Sequence, residues 1–440
     1  MRKLLAIVSF TAYVIHFRFL VINLVDLPKL DDWIMINPEI ARQFPSLNWI
    51  WSDYCDHRYV LYRLFSWALY HVGIRNLIFT QIFSFLVFGI LLLLFALIMK
   101  RLLSPASFWK AAWFFPFLLF PLLLETHFWS LLVSVHWSYL FFFISGFFLF
   151  REDRKKSGNG KWYALVFLFL SIISDSNGVP LSWGLTTTFL FWRFLHAGWK
   201  ISLREGWVLF LPSLIFFVAV KHNPSAIPRS YPFHNYFWDY FLAQCSIVFG
   251  FVSPVYWKRF ICFALIFIPP TWILATRARN LKKQEWFWIG SEFGIVLCLL
   301  AVVVSRAHDW KGRVGVADLP LRYREFSIYL LPLVAYSWVS LFEKNRKLSN
   351  FVALSLWLLT LKGYWRHISF ESYFECREGR EITKACIDTE IRNGNRPICP
   401  EFSDRYLMQI YTTDFTERVK IAYDLGFDFS KGWGEVKKLK

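Results

Sequence analysis

Two adjacent carboxylates, Asp31 and Asp32, stand before Trp33 and directly after the first long apolar run of this 440-residue chain. A carboxylate at the rim of an apolar environment has its pKa raised by desolvation, which suits a general base, and a pair of them can also ligate a divalent cation. The same side chains can instead cap a short helix beginning near Trp33. Further along, Tyr54-Cys55-Asp56-His57-Arg58-Tyr59 and Tyr62-Arg63 lead into a stretch from Val60 to Val72 whose apolar positions recur at helical spacing. His57, Arg58 and Arg63 put cations at its start, where arginine can grip a phosphate through two parallel hydrogen bonds or rest against lipid headgroups. A second basic cluster holds Arg306, His308, Lys311 and Arg313, followed by Arg322 and Arg324, with Asp309, Asp318 and Glu325 interspersed. An anionic ligand explains that cluster; salt bridges inside a folded loop are the competing account.

The elements that must position these groups are set by composition. The chain is 56% hydrophobic and 21% aromatic with 18% charged residues, against about 25% charged in ordinary globular domains. Runs such as Leu77 to Met99, Phe128 to Phe150 and Glu285 to Ser305 match the roughly 20 residues that cross a bilayer. An all-α polytopic membrane protein is expected. The first apolar run, Leu4 to about Val25, lacks a small-residue cleavage site at its end and reads as a retained span. Further spans are expected near 77–99, 107–125, 128–150, 162–175, 179–196, 206–220, 259–276, 285–304, 326–342 and 349–365, a bundle of about eleven.

Starting inside, this path places Lys100-Arg101, Arg151 to Lys156, Lys200 to Arg204, Arg277 to Lys283 and Lys344 to Lys347 on one face, as basic cytoplasmic loops require. Trp238 to Val252 would invert every later loop if it crossed, so it is expected to enter and leave on the outer side, shielded by other helices. The outer face then carries residues 26–76, 221–236, 306–325 and a tail from Arg366 to Lys440, with residues 1–365 as the transmembrane region. The formal charge of +18 follows from the basic loops, since the tail is neutral; no nucleic-acid-binding domain is indicated. No Gly-rich phosphate loop accompanies the cytoplasmic segments, which argues against a nucleotide-consuming enzyme.

Cys245, Cys262 and Cys298 fall in apolar segments, whereas Cys55, Cys376, Cys386 and Cys399 face outward, where at least one disulfide is expected and a clip within the tail is favoured. No histidine spacing accompanies them for a zinc site. His16, Arg18, Glu125, His127, His136, Asp175 and Asn177 are polar groups in or beside spans, where such groups are costly. His16 and His136 are expected to serve helix packing; Glu125, His127 and the turn at Asp175 to Gly178 lie at outer ends and can line one cavity.

On Asp31-Asp32-Trp33, His57-Arg58 with the following interfacial helix, and Gly312-Arg313 to Arg322-Tyr323 before a late span, the chain resembles the polytopic glycosyltransferases of the GT-C fold. Its size and basic ending Lys437-Lys438-Leu439-Lys440 look like the phage-encoded O-antigen glucosyltransferases that change bacterial serotype. The resemblance implies a bacterial inner-membrane enzyme with a cytoplasmic N-terminus and a periplasmic tail. It implies inverting transfer of a sugar, glucose, from a polyprenyl-phosphate donor to a glycan or lipid-linked glycan acceptor. Asp31 or Asp32 would deprotonate the acceptor hydroxyl, while His57, Arg58, Arg63, Arg306, Arg313, Arg322 and Arg324 would hold the donor phosphate. A divalent cation is the one cofactor the acidic pair could hold. A polysaccharide polymerase or a flippase of lipid-linked glycans is the alternative, although a transporter tends to carry charges midway through its spans, and here they gather at one rim.

Overall fold

The computed structural model describes residues 2–28, 32, 36–52, 58–119, 130–151, 160–218, 229–251, 255–310, 324–365, 371–393, 415–431 and 433. Helix accounts for 83% of the structure, with no strand among the described residues. In chain order the helices are α1 (Arg2–Ile22), α2 (Leu47–Trp51), α3 (Val60–His71), α4 (Leu77–Leu102), α5 (Pro105–Ala111), α6 (Phe115–Leu118), α7 (Leu132–Phe150), α8 (Gly160–Ser174), α9 (Gly178–Ala197), α10 (Trp199–Gly206), α11 (Leu211–Val218), α12 (Asn235–Val248), α13 (Tyr256–Arg277), α14 (Trp286–Arg306), α15 (Arg324–Ser327), α16 (Leu330–Leu341), α17 (Arg346–Trp365), α18 (Glu371–Arg392) and α19 (Phe415–Asp424).

Among the described residues, five segments are long and apolar enough to cross a bilayer: Arg2–Ile22, Leu77–Leu102, Leu132–Phe150, Tyr256–Asn280 and Lys283–Arg306. Gly160–Ser174, Trp207–Phe216 and Leu330–Leu341 are apolar but shorter. The remaining expected spans fall on more polar or interrupted helix, such as α9 with its run of threonines and the α5–α6 segment broken by a 3-10 turn. Local chemistry sets many boundaries. The Asn76 side chain accepts from Ile78 N–H at 2.7 Å to start α4, and Lys100 and Arg101 sit at its other end, where cations favour the helix dipole.

Helices α9 and α14 pack against each other through glycine. A Cβ on Gly184 would stand 2.2 Å from the Gly294 Cα, and one on Gly294 would meet Leu181 O at 2.8 Å and the Phe142 ring at 2.9 Å. Gly290 and Gly294 have the four-residue spacing that lets membrane helices approach closely. Gly294→Val is therefore expected to force the pair apart, costing about 1–3 kcal/mol or more by overpacking. Thermal unfolding in detergent checks this: Gly294→Val melting at the wild-type temperature would contradict the close contact, and Gly290→Ala, whose new Cβ first meets a flexible Leu185 at 3.2 Å, should be milder.

Helix α13 contains Pro269 and Pro270, which remove the N–H groups that would bond the carbonyls of Leu265 and Ile266. The Trp338 indole of α16 fills the first vacancy, donating to Leu265 O at 2.8 Å.

Helix α12, the segment expected not to cross, is 14 residues long. Before its start, Ser230 N–H donates to Val304 O at 2.8 Å near the end of α14. After its end, Gly250 adopts φ +76° against Tyr364, near the end of α17. The two ends of α12 thus meet the C-terminal ends of α14 and α17. An ion pair between the buried Arg259 and the half-buried Asp239 ties α12 to the start of α13.

Candidate functional site

The segment after α1 is pinned through its carboxylates. Asp26 accepts from Leu77 N–H at 3.0 Å, on the first residue of α4. Burial pushes the Asp26 carboxyl above its ordinary range, outweighing that hydrogen bond and the cations Lys384 and Arg380, which pull it down. A folded-state pKa above the ordinary value means that the folded protein holds the proton longer, so stability falls as pH rises out of the ordinary carboxylate range. Asp26→Asn is expected to match wild type in acid and to melt higher at neutral pH; melting curves that stay superimposed at both pH values would refute it.

Asp32 is 1% exposed. Its two oxygens accept from Leu131 N–H at 3.1 Å and Ser130 N–H at 3.4 Å, the amides of the N-cap residue of α7 and the residue before it. A carboxylate there satisfies donors that the helix itself leaves unpaired and meets the positive end of its dipole. Asp32 therefore caps a helix formed about a hundred residues later in the chain; Trp33, where a locally capped helix is expected to begin, lies outside the described residues. A cavity of about 30 Å³ adjoins it, lined among others by Tyr62, Ser66, Asn76, Thr80 and Phe427, enough for about one water molecule. Burial drives the Tyr62 hydroxyl far above its usual range, and the Asp32 charge adds to the shift.

Arg58, two residues before α3, and Arg63 on α3 are both buried. The Arg58 N–H donates to Ser176 Oγ at 3.0 Å, and its guanidinium lies 4.8 Å from the centre of the Phe216 ring. That contact brings the first loop against the turn between α8 and α9. In the turn, Asp175 accepts from Asn177 N–H at 2.8 Å and from its amide nitrogen at 2.5 Å. Arg63 donates to the carbonyls of Trp49, Ile50 and Ser52 and to the Ser52 hydroxyl, closing the C-terminal end of α2. Of the second cluster, Arg306 ends α14 and is half-buried, while His308 lies edge-on to the Tyr236 ring with centres 6.0 Å apart. Arg324 opens α15, but its side chain lies outside the described residues, as do Asp31, His57, Arg313 and Arg322. Glu125 and His127 lie outside them too. His16 and His136 make the interhelical contacts expected of them, to Leu119 O at 3.0 Å and Ser84 O at 3.1 Å.

The segment after α17 covers the site. Arg380 of α18, fully buried, donates to Val25 O at 2.8 Å and to Leu27 O. Arg418 of α19 donates to Ile36 O at 3.0 Å, and Asp428 N–H to Arg75 O at 3.3 Å. Gly426, at φ +66°, leaves room for the Arg75 guanidinium, which a Cβ would meet at 2.8 Å. Phe427 then reaches the Asp32 cavity. Cys386 is disulfide-bonded, while Cys245, Cys262 and Cys298 are buried thiols.

The described neighbours of Asp32 donate N–H groups, which suit the carboxylate itself better than a cation seeking several oxygens. Among the described residues no three His, Cys, Asp or Glu side chains gather in metal-ligating geometry. Sequence reasoning passed over Arg380, although Thr383, Ile387 and Ile391 repeat with it along one helical face, and Glu292, an acid inside the apolar run of α14. No family model, curated protein or solved structure matches the chain.

Proposed function

We propose that the chain is a membrane glycosyltransferase that moves glucose from a polyprenyl-phosphate donor to a hydroxyl of a cell-surface glycan such as O-antigen, with inversion, on the outer side of a bacterial inner membrane. The observation that carries the reading is Asp32, a carboxylate from the first loop seated on the α7 amides at the end of the bundle where the polar groups gather. Asp32 takes the proton of the acceptor hydroxyl as that oxygen attacks the anomeric carbon. The bond from that carbon to the phosphate oxygen breaks, and its electron pair leaves with the polyprenyl phosphate. The α7 amides hold the base in place, and the buried Tyr62 restricts water around it; positioning of this kind supplies much of a transfer rate. Because Asp32 is covered, the acceptor must displace the Phe427 contact to reach it. Arg58 and Arg306, with Arg313, Arg322 and Arg324, are the cations proposed for the departing phosphate.

The test is purified protein in lipid, given undecaprenyl-phosphate glucose and a glycan acceptor with no nucleotide sugar. Transfer with inverted anomeric configuration is expected. Activity only with a nucleotide sugar, or none with either donor, would overturn the proposal.

A further inference from the structure

Away from Asp32, a cavity of about 430 Å³ opens between α9, α13 and α14, walled by Thr188, Phe191, Ile266, Pro270 and Trp286 among others. That size lies within the range of small-molecule sites, which are mostly apolar with a few placed polar groups. Phe191 and Phe293 at its border are exposed on the side of the bundle, so a ligand can enter laterally from the hydrocarbon. Its polar group is Glu292, 3% exposed. One carboxyl oxygen accepts from Ser337 Oγ at 3.1 Å; the other is buried without a hydrogen-bond partner. The cavity thus presents a buried carboxyl oxygen that lacks a partner, in surroundings where an unmade hydrogen bond is expensive.

We infer that this cavity binds a single-chain amphiphile whose hydroxyl head donates a hydrogen bond to Glu292. The apolar walls take the chain, and the head supplies the missing donor. A hydroxyl fits better than an ammonium, because a cation would have to shed its water and find one carboxyl in return. The inference does not depend on the chemistry proposed at Asp32, which lies toward the other end of the bundle.

The test uses the full chain in detergent and a diazirine-bearing twelve-carbon alcohol. After irradiation, adducts are mapped by peptide mass spectrometry, with dodecanol, dodecane or dodecylamine as competitor. Adducts are expected around Phe267, Pro270 and Phe293, and dodecanol should displace the probe at about three- to tenfold lower concentration than dodecane, the advantage of one net hydrogen bond. Glu292→Leu should erase that difference. If the variant does not fold, the wild-type competition decides alone. Equal competition by alcohol and alkane would reduce the cavity to a slot for any lipid chain and overturn the proposal. Dodecylamine outcompeting dodecanol would overturn the hydroxyl assignment, and adducts scattered over the bundle surface would overturn the site.

Discussion

Asp32→Asn is expected to lower transfer by roughly 10²- to 10⁴-fold, because an amide cannot take the acceptor proton. The amide oxygen can still accept from Leu131 N–H while the bond from Ser130 N–H is lost, so the folded protein should survive with some loss of stability. The variant does lose a charge at a helix N-terminus, worth about 0.3–1 kcal/mol, or up to about 2 when partly buried. The two roles of Asp32 thus separate in one experiment. If the variant melts lower yet transfers at the wild-type rate, Asp32 is a cap and no base. If it melts near wild type and transfer collapses, the base assignment holds.

Arg380→Ala is expected to release the segment after α17 from the first loop. Its guanidinium serves the carbonyls of Val25 and Leu27; Val25 O keeps the Leu27 N–H bond, and a buried Leu27 O left without its Arg380 donor costs about 1–3 kcal/mol. Limited proteolysis should then cut near α18 and α19 in the variant and leave wild type intact. Arg380→Lys should restore part of the protection, since one ammonium cannot reproduce the planar fork. Unchanged protection in Arg380→Ala would mean that the anchor lies elsewhere, and the covering of the Asp32 cavity by Phe427 would need another cause.

Much of the helical layout was legible in the residues because hydropathy is local: α1, α4, α7, α13 and α14 lie where apolar runs put them. The site was legible in residue type and obscure in partnership. Nothing near Asp32 in sequence announces that its oxygens belong to Ser130 and Leu131, since a cap from another segment leaves no spacing signal. Arg63 looked like a free cation because the carbonyls it serves, at the end of the short α2, carry no side-chain signature. Gly184 and Gly294 meet across two helices, a relation set by packing angle and invisible to the pattern of either helix alone.

The Arg380 contact also constrains the order of assembly. Its bond to Val25 joins residues 355 positions apart. At the usual pace of translation, roughly 5–20 residues per second, about 20–70 s separate the synthesis of the two partners. During that interval the first loop stands without the helix that will cover it, and the Leu27 carbonyl that Arg380 will serve must be met by water. Nascent chains arrested before Arg380 should therefore display this loop open to proteases and chaperones, and the Asp32 pocket becomes roofed only when α18 and α19 arrive.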